Sequence, residues 1–277
     1  MMYCSYGNAY RITKNDKYKK ILDTAAMSLA SRFRPKIQSI QSWDSSKNFK
    51  CAVIVDNMMN LELLFWASRE TGDQRFHDIA ITHADNTIKN HFRPDYSSYH
   101  VICYDPEGKV LAKKQHQGYQ DESTWTRGHA WAIYGYVAMY RETKDKKYLD
   151  FAQKITDFYL NHPNLPKDKI PYWDFFAPNI PNEERDASAG AITASALLEL
   201  SKYSGAKGKR YYNDAVTMME SLSSPAYRAA LGENNNFLIK HCVGAKGLNS
   251  EIDVPLIYAD YYYLEALLRL QNYKQNK

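Results

Sequence analysis

Cysteine is scarce in this chain. The four present, Cys4, Cys51, Cys103 and Cys242, are scattered, with no CxxC and no histidine at metal-ligand spacing. They read as buried free thiols, which argues against a disulfide scaffold or a thiolate metal centre. No apolar run is long enough to cross a bilayer as a helix, so no membrane partner is expected. No basic run is dense enough for nucleic acid, because the net charge of +5 is spread along the chain and often neighbours acidic residues. Glycine patterns that cradle phosphate, a serine nucleophile elbow and a zinc-hydrolase motif are also missing.

What is present describes an ordinary globular protein with one unusual accent. The 277 residues are 44% apolar and 24% charged, which fits one large domain over 1–277 with a full-sized core. The accent is 23 tyrosines and 5 tryptophans. Two readings are open for them: filling between large helices, or lining a binding surface. The opening Met1-Met2-Tyr3-Cys4-Ser5-Tyr6 is already aromatic and helix-like, with no charged leader, and reads as though it begins inside a domain.

A local pattern recurs. Tyr10–Tyr18, Ser68–Phe76 and Tyr140–Tyr148 are alike, and Lys202–Tyr211 is a weaker copy. Each ends one helix, turns through a few polar residues, offers a side chain to cap the next helix, and follows with an aromatic that can pack under the turn. The spacing predicts helices near 1–12, 16–33, 52–70, 73–90, 122–142, 146–160, 186–202, 208–222 and 257–271. Helices around Met58–Trp66 and Ala130–Met139 are apolar nearly all round, whereas those that follow carry polar faces. Alternating buried and amphipathic helices suit an all-α toroid with inner and outer layers. Longer joints hold most of the proline and glycine, and Tyr99–Tyr104 followed by Asp105-Pro106-Glu107-Gly108 reads as a short hairpin.

Candidate chemistry sits in those joints. Asp56 lies between Val53-Ile54-Val55 and Met58-Met59, in poor contact with solvent, where a carboxyl group can act as general acid and then general base. It can equally cap a helix beginning at Asn57, and both readings are open; Asn57 and Asn60 are candidates to orient it. Gln117, Trp125, Arg127 and Trp131 form a set in which indoles flank a guanidinium, suited to an acidic, hydroxyl-rich sugar. Arg127 has a structural alternative, pinning Asp121 or Glu122. His100 is a weaker substrate-binding candidate. Asp186 reads as a helix cap with Arg185 beside it, Asp260 as an organiser of the last helix, and Trp173 as a possible pocket wall.

Val55–Asn60, Gln117–Trp131, Pro171–Phe175 and Val254–Tyr262 together resemble glycoside hydrolase family 88, the unsaturated glucuronyl hydrolases, nearly end to end. The resemblance implies an (α/α)6 barrel of twelve helices and hydration of the C4=C5 double bond that lyases leave on a terminal uronic acid. On that resemblance Asp56 is the acid/base group. His100, Gln117, Arg127 and Trp131 match substrate positions, with Arg127 at the uronate carboxylate and Trp125 adding wall. Neither metal nor redox cofactor is implied.

One departure stands out. The family's His-Asp-Xaa-Gly-Phe motif, with a second carboxylate, immediately precedes the segment matching Met2–Ser5 and is not in this sequence. Nine helices against twelve leads to an expectation of an incomplete ring, with the first and last helices lacking neighbours. Uncovered apolar surface costs roughly 25 cal/mol per Å². Either a truncated sequence, or a fragment whose gap is covered by a partner or by self-association, is therefore expected, with strongly reduced or absent activity for a lone monomer. Three further readings stay open: an unsaturated rhamnogalacturonyl hydrolase, an inactive sugar-binding fragment, and a ligand-free helical toroid. Periplasmic and cytoplasmic locations are both open, since a signal peptide would lie upstream.

Overall fold

The computed structural model describes residues 2–47 and 49–275; Met1, at the head of the first expected helix, lies outside them. Among the described residues there are nine α-helices, matching the expected set. They are α1 (Asn8–Thr13, entered through a π turn at Tyr3–Gly7), α2 (Asp16–Ser31), α3 (Leu61–Thr71), α4 (Gln74–His91), α5 (Thr126–Thr143), α6 (Lys146–Asn161), α7 (Ala187–Leu200), α8 (Gly208–Ser223) and α9 (Ile257–Gln275).

The recurring joints share one geometry. Thr13, Thr71 and Thr143 each donate a hydroxyl to the carbonyl four residues back, at 2.7 Å, and accept the N–H two residues on. The next residue turns left-handed (Lys14, Gly72, Lys144), and Asn15, Asp73 or Asp145 then caps the following helix. The fourth joint departs from this: Gly205 supplies the left-handed turn and α8 starts without a side-chain cap. The expected aromatics do pack beneath these turns. Tyr148 donates to Asp85 and Tyr211 to Asp157, both at 2.9 Å, which ties each outer helix to the preceding one.

Helices α3, α5, α7 and α9 form the inner layer, with α2, α4, α6 and α8 outside. Every residue of α7 is buried, between α5, α8 and α9. The inner helices share a polar core between the start of α3, the ends of α5 and α7 and the middle of α9. Arg141 pairs with Glu62 and with Glu199 (2.8 Å), and Arg269 pairs with Glu199 (3.0 Å) and Glu265 (3.5 Å). Burial pushes the Glu62 carboxyl up from its ordinary range, against the pull of Arg141.

The first and last helices were expected to lack neighbours, and side chains instead bridge them: Asn8 donates to the Tyr261 hydroxyl at 3.2 Å, and Tyr10 meets Trp66 of α3 edge-on. Apolar surface nonetheless stays open there, with Ile12 83%, Ile257 66% and Leu268 56% exposed.

A small sheet corrects the expected start of the third helix. Residues 52–54 form a strand, β3 (Ala52–Ile54), after a short ribbon of β1 (Phe33–Arg34) and β2 (Ser39–Ile40). β3 pairs antiparallel with β4 (Val101–Tyr104), which pairs with β5 (Val110–Lys114), the expected hairpin. A 3-10 segment, Val55–Asn60, then leads into α3. Its tightness follows from close packing, since a Cβ on Gly135 of α5 would lie 2.5 Å from the Met58 Cβ.

Buried histidines staple these pieces to the helices. His83 accepts the Ile40 N–H (3.1 Å), and a His91 ring nitrogen meets the Val53 carbonyl (3.1 Å). His129 meets the Ile155 carbonyl (2.9 Å). Desolvation lowers His83 and His91 to about 3 and His129 to about 4, all below the ordinary 6.5. The unfolded chain therefore binds more protons than the native one. Stability is full above about pH 6.5 and falls as pH drops toward the native values, by roughly 1.4 kcal/mol per pH unit for each histidine. Urea unfolding near pH 7.5 and near pH 5.5 should show this loss, and equal stabilities would contradict it.

Candidate active site

The N-terminal ends of the inner helices converge on one end of the toroid, bringing Asp56, Trp125–Arg127, Asp186 and Tyr258–Asp260 together. Asp56 owes its place to the sheet. The Val55 N–H donates to the His100 carbonyl at 3.0 Å, extending the β3–β4 pairing by one residue. Asp56 Oδ2 then faces His100 Nε2 at 3.4 Å. The capping alternative is not realised: the 3-10 segment has no side-chain cap, and Asp56 Oδ2 is buried without a hydrogen-bond partner among the described residues. Asn57 and Asn60 do not orient it. The Asn57 amide donates to the Ile40 carbonyl (2.8 Å) and the Ser42 hydroxyl (3.0 Å), and Asn60 donates to Asn57.

His100 is buried, its ring tilted against Trp125 at 4.5 Å, and its Nδ1 accepts the Gln117 N–H at 3.3 Å. His100 Nε2, Trp125 Nε1 and Asp56 Oδ2 are all buried and all lack a hydrogen-bond partner among the described residues. Buried polar atoms are rarely left so, and a cluster of them marks a place prepared for a ligand or water.

Arg127 is 2% exposed and fully engaged in another way. Its Nη1 donates to Asp186 Oδ2 at 2.9 Å and to the Val243 carbonyl, and its Nη2 to the Gly244 carbonyl. The guanidinium also lies 4.5 Å from the Trp125 ring and 5.4 Å from Tyr258. Burial opposes its charge most strongly, but Asp186, Tyr258 and Asp56 together outweigh that and raise the group above its ordinary value. The expected alternative partners, Asp121 and Glu122, are taken by Arg93, which donates to the Asp121 carbonyl (3.1 Å) and the Glu122 carboxylate (3.2 Å). Asp186 is indeed a cap, accepting the Ser188 N–H at 3.1 Å. Arg185, expected beside it, instead binds Asp168 and the Ile170 carbonyl. Asp260, expected to organise the last helix, instead accepts the Leu238 and Ile239 N–H groups (2.8 and 3.0 Å) and ties that segment to α9. Trp173 is buried and donates to Glu183 at 2.9 Å, away from the cleft.

A cleft of about 620 Å³ opens beside Asp56, lined by Asn60, Trp131, Tyr258, Tyr261 and Tyr262 among others. Trp131 meets Tyr258 and Tyr262 edge-on at 5.8 and 5.3 Å, making an aromatic wall in the cleft that Asp56 also lines. Of the expected site residues, Asp56 and Trp131 thus face the cleft. His100, Trp125 and Arg127 are enclosed behind it, while Gln117 joins its side chain to the Gly244 carbonyl at 2.8 Å. The tyrosine wall was not singled out from the sequence. Its signal was the i, i+3, i+4 spacing of Tyr258, Tyr261 and Tyr262 on one helix face.

A helical toroid whose cleft is lined by a half-buried carboxylate and an aromatic wall suits a carbohydrate-active class of protein. The profile of Glycosyl Hydrolase Family 88 matches residues 1–276. An unsaturated glucuronyl hydrolase from Formosa agariphila is 47% identical over 274 residues, covering 98% of this chain and 68% of that protein. One from Bacillus sp. (strain GL1) is 36% identical, covering 94% and 70%. A crystal structure of an unsaturated glucuronyl hydrolase specific for heparin superposes with a TM-score of 0.96 at 52% identity, covering 99% of this chain and 74% of that one. The chain belongs to glycoside hydrolase family 88.

The buried Arg127–Asp186 pair generates a prediction. Removing one partner strands the other charge, so Asp186→Ala should lower stability by about 3–5 kcal/mol. Chemical denaturation measures this; a loss below about 1 kcal/mol would show that the pair is not a structural joint.

Proposed function

We propose that this chain removes a terminal 4,5-unsaturated uronic acid from lyase-generated oligosaccharides by hydrating its C4=C5 bond. Asp56 acts as the general acid and gives a proton to C4. Water adds at C5, where the ring oxygen stabilises the developing positive charge, and its proton passes to the Asp56 carboxylate. The C5 hemiketal opens, and the rest of the oligosaccharide leaves from C1. The observation that carries this reading is the unpartnered Asp56 Oδ2 beside the cleft, next to two more unpartnered atoms, His100 Nε2 and Trp125 Nε1.

The sugar ring is assigned to the cleft, stacked on Trp131 and edged by Tyr258 and Tyr262. Its carboxylate gains from the helix N-termini gathered at this end of the toroid. The Arg127 role expected from the resemblance, a direct grip on that carboxylate, changes in this geometry. Asp186 and two carbonyls occupy the guanidinium, so its part is to hold the Trp125 and Tyr258 walls and the 243–244 backbone. His100 and Gln117 are assigned to aligning Asp56.

Loss of the C4=C5 absorbance with unsaturated glucuronyl disaccharides tests the reaction. Asp56→Asn should reduce the rate by about 10²–10⁴-fold, the usual weight of general acid–base catalysis. Equal rates would remove Asp56 from the chemistry. Binding without absorbance loss in the unsubstituted chain would make it a sugar-binding protein, and preference for unsaturated galacturonyl-rhamnose would move the substrate to rhamnogalacturonan.

Self-association is proposed for the apolar strip of Ile257, Leu264 and Leu268 on α9 with Ile12 on α1, which are exposed in this chain. Sedimentation velocity at micromolar concentration should show an oligomer that Leu264→Lys with Leu268→Lys dissociates. A monomeric unsubstituted chain would contradict it.

A further inference from the structure

Asp174 is a carboxylate at 0% exposure with no cation among its hydrogen-bond partners in the described residues. Its Oδ2 accepts the Tyr119 N–H at 3.0 Å and the Ser123 hydroxyl at 2.6 Å, and its Oδ1 accepts the Phe176 N–H at 2.9 Å. Burial of a charge this deep is costly, and these donors are what hold it. They gather the 118–124 turn around one point. The turn is closed so tightly that a Cβ on Gly118 would lie 2.8 Å from Gln115 Oε1 and 3.0 Å from Asp174 Oδ2.

The residue entering that turn is Gln117, whose backbone N–H donates to His100 Nδ1 at 3.3 Å. A neutral imidazole that accepts at Nδ1 must carry its proton on Nε2. Nε2 is the atom facing Asp56 Oδ2 at 3.4 Å, a contact too oblique to count as a formed hydrogen bond here. Such contacts commonly tighten when substrate arrives.

We propose that Asp174 is a positioning residue for the reaction: by closing the 118–124 turn it sets the Gln117 N–H on His100 Nδ1, and so fixes the Nε2–H tautomer that faces Asp56. Its side chain touches neither the cleft nor Asp56. It acts through Gln117 and His100, and it rests on the reading of Asp56 as the acid/base group.

The test is a pair of readouts on the full chain. Two-bond proton–nitrogen spectra of ¹⁵N-histidine-labelled protein report the His100 tautomer, with its signals assigned by their loss in His100→Gln. The native chain should show the proton on Nε2. Asp174→Ala should mix the tautomers and lower kcat by about 10- to 100-fold with KM little changed, because alignment and not binding is lost. Asp174→Asn, which keeps a carbonyl oxygen for Tyr119 and Ser123, should restore the tautomer and most of kcat. Ser123→Ala should give a smaller shift in the same direction.

A native chain with the proton on Nδ1 would overturn the proposal. So would a folded Asp174→Ala with native tautomer and native kcat. If that variant does not fold, the native spectrum and Ser123→Ala decide by the same criteria. The spectra need no turnover, so an inactive chain would count against the hydration reading and leave the positioning decided separately.

Discussion

The structure depends most on the ion pair between Arg127 and Asp186, both almost completely shielded from water. Removing two charges from water costs several kcal/mol each, and their mutual attraction recovers that only when every remaining donor and acceptor is satisfied. Satisfying them draws in three distant pieces of chain: the start of α5, the start of α7, and the backbone at Val243–Gly244. Gln117 binds the same Gly244 carbonyl, and the guanidinium lies over the Trp125 and Tyr258 rings. One buried charge pair thereby fixes the positions of loops more than a hundred residues apart.

Against that anchored side, Asp56 is delivered by a separate device. Three strands and a 3-10 segment carry it to the cleft, with His91 holding the Val53 carbonyl and Asn57 holding the Ile40 carbonyl. Several buried polar atoms elsewhere also lack a partner among the described residues, but Asp56 Oδ2, His100 Nε2 and Trp125 Nε1 lie together beside the cleft. A cluster of unpaired polar atoms at the edge of a cleft is a place that a ligand or water can complete.

The helices were legible because their signals are local. Threonine–left-handed turn–cap is a short-range pattern, and the inner helices announce themselves by lacking a polar face. The start of the third helix was misjudged because Ala52–Ile54 is a short apolar run that fits strand and helix alike. Its partner strand lies about fifty residues away, at 101–103. Asp56, His100, Gln117, Trp125, Arg127 and Trp131 were picked out as site residues, but which of them face the cleft was not readable. Arg127's partner, Asp186, is 59 residues distant, and no local pattern links them. Asp174 was passed over for the same reason: two of the donors to it lie in a turn more than fifty residues upstream.

The central claim is that Asp56 delivers a proton to C4 of the unsaturated ring. The most direct measurement is a crystal structure of the Asp56→Asn chain with an unsaturated glucuronyl disaccharide bound. The predicted result places C4 about 3–3.5 Å from the side-chain oxygen at position 56, with the ring stacked on Trp131. A sugar bound outside the cleft, or one presenting its anomeric carbon to position 56, would contradict the account.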